Sequence, residues 1–130
     1  MSTATAGSEV LTRWFAVMDS DRPEDILDMI APGFRFSIVF GTGGGEARDF
    51  AGGREAMEGY LAQREKGTLT HHPLVVSSTG PAEFYLGEVR RAGEVVANYV
   101  AAGEVGPSGR LRRLIIGRSP AVRFAGGTDV

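Results

Sequence analysis

The stretch of sequence that decides the fold reads AEFYLGEVRRAGEVVANYVAAGEV and occupies residues 82–105. Valine and aromatic residues, which favour strands, recur in both halves of this stretch. The dipeptide Ala92-Gly93 between the halves is typical of a tight turn, because glycine adopts backbone conformations that other residues avoid. The pattern predicts two long antiparallel strands, Ala82–Arg91 and Glu94–Val105, joined as a hairpin.

Two more strands are predicted, one on each side of this hairpin in the sequence. Residues Thr70–Ser78 precede it across the turn Thr79-Gly80-Pro81, and residues Arg110–Arg118 follow it across the glycine- and proline-containing turn at 106–109. Four consecutive long strands predict an antiparallel meander in the second half of the chain.

The first half of the chain predicts three helices. Ser8 can cap the first helix, which ends near Asp19 and carries one apolar stripe made of Val10, Leu11, Trp14, Phe15 and Met18. Pro23 opens a short second helix that ends at Ala31-Pro32-Gly33. The third helix is predicted over Arg54–Lys66, with an apolar stripe made of Ala56, Met57, Tyr60 and Leu61.

One strand and one loop separate the second helix from the third. Alternating apolar residues predict a strand over Phe34–Phe40 with Phe34, Phe36, Ile38 and Phe40 on one face, and the glycine-rich run Gly41–Gly45 predicts a loop. Helices followed by consecutive strands indicate an α+β fold, in which helices cover one face of a curved antiparallel or mixed sheet.

The composition excludes several classes of protein. The chain has 130 residues, of which 42% are hydrophobic, and we expect one domain with its core at about 8–118 and flexible ends. It has no cysteine, which excludes disulfides, and a net charge of −2, which argues against nucleic-acid binding. No apolar run can span a bilayer and the first residues do not resemble a signal peptide, so we expect a cytoplasmic protein without a membrane partner. Thirteen arginines against one lysine are typical of a GC-rich bacterial genome.

The order of these elements resembles the nuclear transport factor 2-like (NTF2-like) superfamily, also called SnoaL-like or ketosteroid-isomerase-like. The local resemblance lies in LTRWFAVMDSD at 11–21, ILDMIAPGF at 26–34, GGREAM at 52–57 and His71-His72 at the start of a strand. It implies a single SnoaL-like domain over residues 1–130, in which a sheet and three helices form a cone around one pocket (a cystatin-like α+β barrel). It also implies a homodimer through the outer sheet face. The superfamily contains isomerases, dehydratases, cyclases and binding proteins, so the function stays open.

The steroid isomerase branch of this superfamily is testable on the sequence. Its tyrosine donor corresponds to Trp14, its aspartate base to Ile38, and its protonated aspartate to Ala101. Proton abstraction from carbon needs a base and donors to the oxyanion, and these side chains supply neither. We therefore expect no steroid isomerase activity.

The same resemblance predicts which side chains line the pocket. Most are aromatic or aliphatic, and the polar ones are a histidine, tyrosines and one arginine. The predicted ligand-binding residues are Trp14, Met18, Phe36, Ile38, Phe40, Tyr60, His71, Tyr85, Tyr99, Leu114, Ile116 and Arg118. No metal site and no cofactor are expected, because two adjacent strand histidines cannot face one ion and no third ligand has suitable spacing.

Each polar group has a structural and a functional interpretation. Adjacent strand residues face opposite ways, so only one histidine of the pair points inward; loop spacing favours His71 over His72, and His71 is the candidate catalytic residue. The inward histidine is either a hydrogen-bonded residue at a strand start or an acid/base, as in members that resemble scytalone dehydratase. Arg118 either binds an anionic ligand or forms a salt bridge at the strand end. Glu46 and Asp49 are a further candidate base at the pocket mouth.

Three functions follow from the sequence. The first is binding of a small apolar or aromatic molecule without catalysis. The second is a dehydratase, cyclase or isomerase with His71 as acid/base on a hydrophobic substrate. The third is a dimerising structural module whose pocket is filled by its own side chains. The apolar outward residues Phe84, Leu86, Val96, Val100 and Ile115 predict the homodimer in all three cases.

Overall fold

The computed structural model of the chain describes residues 9–41, 47–64 and 67–124. Over these residues it contains three helices and six strands. The helices are α1 (Glu9–Met18), a 3-10 helix (Pro23–Met29) and α2 (Arg54–Gln63). The strands are β1 (Ile30–Gly41), β2 (Ala47–Gly52), β3 (Thr70–Thr79), β4 (Ala82–Arg91), β5 (Glu94–Val105) and β6 (Leu111–Ser119).

All six strands form one curved, unclosed sheet in the order β2-β1-β6-β5-β4-β3. The predicted meander β3 to β6 is confirmed, and β4 and β5 have the predicted bounds. β1 pairs in parallel with β6, which makes the sheet mixed. The predicted α+β class is thus confirmed, with β2 and β3 as the two free edges.

The N-terminus of α1 is held by a carboxylate from a distant strand. Glu83 on β4 is only 8% exposed, and its two oxygens accept the backbone N–H groups of Leu11 at 2.9 Å and Val10 at 3.3 Å. These are donors that a helix cannot satisfy internally in its first turn. The predicted cap, Ser8, lies outside the described residues.

The second helix ends earlier than predicted. It is a 3-10 helix that stops at Met29, and Ile30 already has the extended backbone of β1. The prediction that Ala31-Pro32-Gly33 ends the helix is therefore wrong. Pro32 disfavours the helical conformation in the residue before it, so the chain becomes extended here and β1 begins four residues before Phe34.

A strand that the sequence did not predict follows the glycine-rich run. β2 pairs antiparallel with β1 and places Asp49 opposite Val39. Four residues of the predicted loop Gly41–Gly45 lie outside the described residues, and Gly41 itself ends β1. The third helix ends at Gln63 and not at Lys66, which is also outside the described residues, because Arg64 has an extended backbone.

The core lies between the helices and one face of the sheet. Leu11, Trp14, Phe15 and Met18 of α1 are all buried, as their spacing predicts. Met57 of α2 is fully buried, and Ile26 of the 3-10 helix as well. The opposite face of the sheet is not covered by a helix of the described residues, and Phe84, Val100 and Ile115 are exposed on it.

Candidate functional site

A small cavity lies between the helices and the inner face of the sheet. Its free volume is about 30 Å³, which is room for about two water molecules. Aromatic and aliphatic side chains form most of its wall, together with one histidine and one arginine. The lining residues are Trp14, Phe15, Met18, Ile38, Phe40, Tyr60, His71, Tyr99, Ile116 and Arg118.

The structure brings nine of the twelve predicted ligand-binding residues together at this cavity. The other three, Phe36, Tyr85 and Leu114, are buried in the core beside it and do not line it. Phe15 lines the cavity although the sequence assigned it only to the apolar stripe of α1. Helical spacing predicts which residues of α1 are buried, but it does not separate those at a cavity from those in solid packing.

His71 at the start of β3 is paired with a carboxylate. Its Nδ1 lies 2.6 Å from Oδ1 of Asp19, and its backbone N–H donates to the other carboxylate oxygen at 2.6 Å. The two side chains are only 11% and 17% exposed. Because a carboxylate can only accept, Nδ1 carries the proton in this hydrogen bond, and Nε2 is left as the ring nitrogen that another molecule can use.

Asp19 is the functional residue that the sequence analysis missed. It was assigned to the segment that ends the first helix. A signal was nevertheless present, since Asp19 follows Phe15 by four residues and so extends the buried stripe of α1 with a carboxylate. An acid that continues an apolar stripe needs a buried partner, and here the partner comes from β3, 52 residues later.

The His71 ring belongs to a cluster of four rings. The His71 ring stacks on Phe15 with centroids 5.0 Å apart and meets the edge of Tyr99 at 5.2 Å. Tyr85 lies beneath them, 4.8 Å from Phe15 and 5.5 Å from Tyr99. These contacts and the Asp19 hydrogen bonds fix the orientation of the imidazole.

The Tyr99 hydroxyl is buried and has no hydrogen-bond partner among the described residues. Burial raises the pKa of this phenol far above its usual value, and the nearby Tyr85 phenol raises it further, although no hydrogen bond of acceptable geometry joins the two hydroxyls. Burial also raises the pKa of Tyr85. Tyr99 is therefore protonated at neutral pH and can donate to a bound molecule.

Gly87 makes room for this tyrosine. It lies opposite Tyr99 in the β4–β5 pair, and a Cβ at Gly87 would be 2.7 Å from the Tyr99 hydroxyl and 2.8 Å from the His72 carbonyl oxygen. Any side chain at this position would displace the tyrosine or the neighbouring strand.

His72 and Asp49 are not at the cavity. The His72 ring is hydrogen-bonded to the Thr70 hydroxyl at 2.7 Å in an exposed position. Asp49 is exposed and opposite Val39, whose side chain belongs to the outer face of the sheet. Its interpretation as a base at the pocket mouth is therefore wrong, and Glu46 lies outside the described residues.

Arg118 forms the cationic end of the cavity. Its guanidinium lies over the Phe40 ring, 5.2 Å from the centroid. Burial lowers the pKa of Arg118, Tyr60 raises it in part, and the like charges of Arg91 and Arg64 lower it by smaller amounts. No carboxylate of the described residues lies within ion-pair distance, so the salt bridge considered from the sequence is not formed by these residues.

Two other kinds of site were tested on the described residues. No three of their histidines, aspartates and glutamates are grouped so that they could hold a metal ion. Among the helices in this part of the chain, none combines the length and apolar character needed to cross a bilayer.

Comparison with solved structures places this fold among known ones. A candidate isomerase of the SnoaL-like family from Agrobacterium tumefaciens superposes with a TM-score of 0.65 at 11% identity, covering 85% of this chain and 94% of its own. A candidate SnoaL-like polyketide cyclase from Jannaschia gives 0.63 at 16% identity, with 91% and 89% covered. An NTF2-like protein of unknown function from Cytophaga hutchinsonii gives 0.58 at 10% identity, with 92% and 96% covered.

The chain therefore has the SnoaL-like, NTF2-like fold, and the resemblance seen in the sequence is confirmed at the level of the fold. No protein-family model matches the sequence, and no curated protein matches it at a significant level. At these identities the likeness defines the fold alone, so the function has to be argued from the site.

Proposed function

We propose that the chain is an enzyme that moves a proton on a small apolar or aromatic substrate, with the Asp19–His71 pair as its acid/base. The observation that carries this proposal is the 2.6 Å contact between Asp19 Oδ1 and His71 Nδ1 beside the cavity. A structural histidine needs only one partner. Here a largely buried carboxylate holds both the ring and the backbone N–H of His71.

The geometry supports a defined division of roles. In the neutral ring, the proton that Nδ1 donates to Asp19 leaves Nε2 without one, so Nε2 can take a proton from the substrate. The resulting imidazolium is stabilised by the Asp19 carboxylate and can return the proton to another atom of the substrate. Tyr99 also lines the cavity, and its protonated hydroxyl, which has no partner among the described residues, is the proposed donor to oxygen that gains negative charge. This chemistry suits isomerisation, cyclisation or dehydration.

The solved structures with this fold support the class of reaction. Those from Agrobacterium tumefaciens and Jannaschia are described as a candidate isomerase and a candidate polyketide cyclase. Steroid isomerisation is not part of the proposal. Trp14 and Ile38 form the cavity wall where that branch carries its donor and its base, and Ala101 is buried opposite Ile116.

The size of the cavity favours a second candidate, a dimerising module whose pocket holds no ligand. A free volume of about 30 Å³ is far below the several hundred Å³ of an ordinary ligand site. A substrate would enter only if lining side chains moved, and Phe40, Tyr60 and Arg118 are the half-buried ones. The same volume counts against a binding protein with a preformed pocket.

We propose in addition that two copies of the chain associate through the outer sheet face. Val39, Phe84, Val100 and Ile115 are 40%, 45%, 58% and 63% exposed and come from four adjacent strands, β1, β4, β5 and β6. An apolar face that is continuous across several strands is typical of an interface. A second copy fits it because a two-fold axis brings the same apolar residues of both copies together.

Deuterium incorporation separates an enzyme from a filled module without knowledge of the substrate. A panel of small carbon acids, such as 2-tetralone and ethyl acetoacetate, is incubated with the protein in D2O, and loss of the activated C–H signal is followed by NMR. We expect His71→Gln to slow the exchange by roughly 10²–10⁴-fold. His72→Gln is the matched control and should behave as the wild type, because the His72 ring is bonded to Thr70 and does not line the cavity. Equal rates for wild type and His71→Gln would refute the acid/base role.

A further inference from the structure

Two strand arginines of the described residues are half-buried, Arg90 and Arg118, and only Arg118 has no carboxylate of these residues within ion-pair distance. Arg90 is paired with Glu88, and Arg113 with Glu104 at 2.8 Å. The Arg118 guanidinium lies over the face of Phe40. The chain thus pairs one half-buried strand arginine with a glutamate and leaves the other without a carboxylate of the described residues.

Two further guanidinium groups act on Arg118. Arg91 lines the same cleft as Arg118, and Arg64 donates to the Met18 carbonyl oxygen at 3.0 Å, close to the cavity wall. Burial is the main effect that disfavours the Arg118 cation, and both charges add to it, against a favourable effect of Tyr60. A partly buried cation among like charges is unfavourable for the folded state unless an anion offsets it.

The space beside Arg118 is large enough for such an anion. A cleft of about 230 Å³ is lined by Phe40, Gly41, Arg91, Val96, Ala97, Arg118 and Pro120. Phe40 and Arg118 also line the cavity that holds His71, so cleft and cavity share a wall. A molecule held in the cleft by one end lies against the cavity wall, and its other end enters the cavity when the half-buried Phe40 side chain moves.

We propose that the substrate of this site carries a carboxylate, which Arg118 and Arg91 bind in the cleft while its apolar part extends past Phe40 towards His71. The inference rests on the proposed acid/base function for the role of His71, but the anion site itself does not depend on it. A planar carboxylate matches the two parallel N–H groups of a guanidinium, which a lysine ammonium does not offer. The proposal narrows the substrate class from apolar molecules to small apolar or aromatic carboxylates.

The test compares benzoate with benzamide, which has the same size and no charge. Binding of each is measured by calorimetry and by the fluorescence of Trp14, the single tryptophan, which lines the cavity. Wild type should prefer benzoate by roughly 10-fold or more, since hydrogen bonds between a guanidinium and a carboxylate are about twice as strong as those to a neutral group. Added salt should weaken benzoate binding more than benzamide binding.

Variants assign the preference to this cleft. Arg118→Met keeps the apolar stem and should reduce the preference to near equality, whereas Arg118→Lys should keep part of it. Arg91→Gln changes an exposed residue of the same cleft and should lower the preference several-fold even if Arg118→Met does not fold. Arg13→Gln, on the exposed side of α1, is the control and should leave it unchanged.

The outcomes separate this inference from the proposed function. Equal binding of the two probes by wild type, no binding of either, or a preference that persists in both cleft variants would overturn the carboxylate site. His71→Gln should keep the benzoate preference. If wild type prefers benzoate and His71 is irrelevant to deuterium exchange, the anion site stands and the acid/base function fails.

Discussion

Replacing Asp19 by alanine tests the centre of the site without knowledge of any substrate. The change removes two hydrogen bonds to a carboxylate, both 2.6 Å long, and leaves the His71 backbone N–H without its acceptor. A hydrogen bond to a charged group contributes about 1.5–3 kcal/mol. The sum must be reduced, because the two side chains are 17% and 11% exposed and water can reach the freed groups in part. We expect the free energy of unfolding to fall by about 2–4 kcal/mol.

The loss is measured by urea denaturation, with Trp14 fluorescence as the signal. For a chain of 130 residues, 1 kcal/mol corresponds to roughly 4 °C in Tm, so a fall of roughly 8–16 °C is expected on heating. Asp21→Ala is the control, since Asp21 is exposed and two residues away. Asp19→Asn keeps one acceptor oxygen and should show an intermediate loss.

A fall of less than about 1 kcal/mol in the free energy of unfolding of Asp19→Ala, the size of one ordinary hydrogen bond, would refute the Asp19–His71 pair. The same conclusion follows if Asp19→Ala and Asp21→Ala are equally stable. In either case the pair would not be formed in solution, and the orientation of His71 would have no support.

Three other expected outcomes concern the tyrosine, the glycine beside it and the outer face. Gly87→Ala should lower the free energy of unfolding by about 1–3 kcal/mol, measured by urea denaturation, while Gly117→Ala, where a Cβ meets no atom within 4 Å, should change it little. Burial raises the pKa of Tyr99 in the folded protein above the value of about 10 that tyrosine has in the unfolded chain. The stability that this difference gives is complete below about pH 10 and is lost as the pH rises further. Above that pH, the free energy of unfolding should therefore fall less steeply with pH in Tyr99→Phe than in the wild type, and the two slopes should differ by up to about 1.4 kcal/mol per pH unit. Identical slopes would contradict the burial of the Tyr99 hydroxyl. Sedimentation should show a dimer at micromolar concentration and a monomer for Val100→Lys; a monomeric wild type would disprove the interface.

The sequence predicted the parts of the fold that are encoded locally. β4 and β5 have their predicted bounds because the strands alternate and the turn between them contains a glycine at φ 84°. β2 was missed because ARDFAG, its sequence at 47–52, has one strongly strand-forming residue and no alternation. It is a strand through its pairing with β1, which is a tertiary effect.

In the site too, the features encoded by local sequence patterns were predictable and those that depend on tertiary contacts were not. The aromatic wall was predictable, since residues such as Trp14 and Ile38 belong to regular apolar patterns. The Asp19–His71 pair was not, because it joins the end of a helix to the start of a strand 52 residues away. The volume of the cavity was not predictable either, since it depends on how ten side chains meet and not on which residues they are.

The carboxylate of Glu83 makes the first helix and the fourth strand one cooperative unit. It binds the amides of Val10 and Leu11 across a separation of more than 70 residues, so the first turn of the helix is completed only when β4 is in place. Native-state hydrogen exchange would show this link directly, because both amides should open with the sheet and not by local fraying. α1 also carries Phe15 and ends beside Asp19. Loss of the β4–β5 hairpin would therefore release one wall of the cavity and, in the same event, the Asp19 carboxylate that pairs with His71.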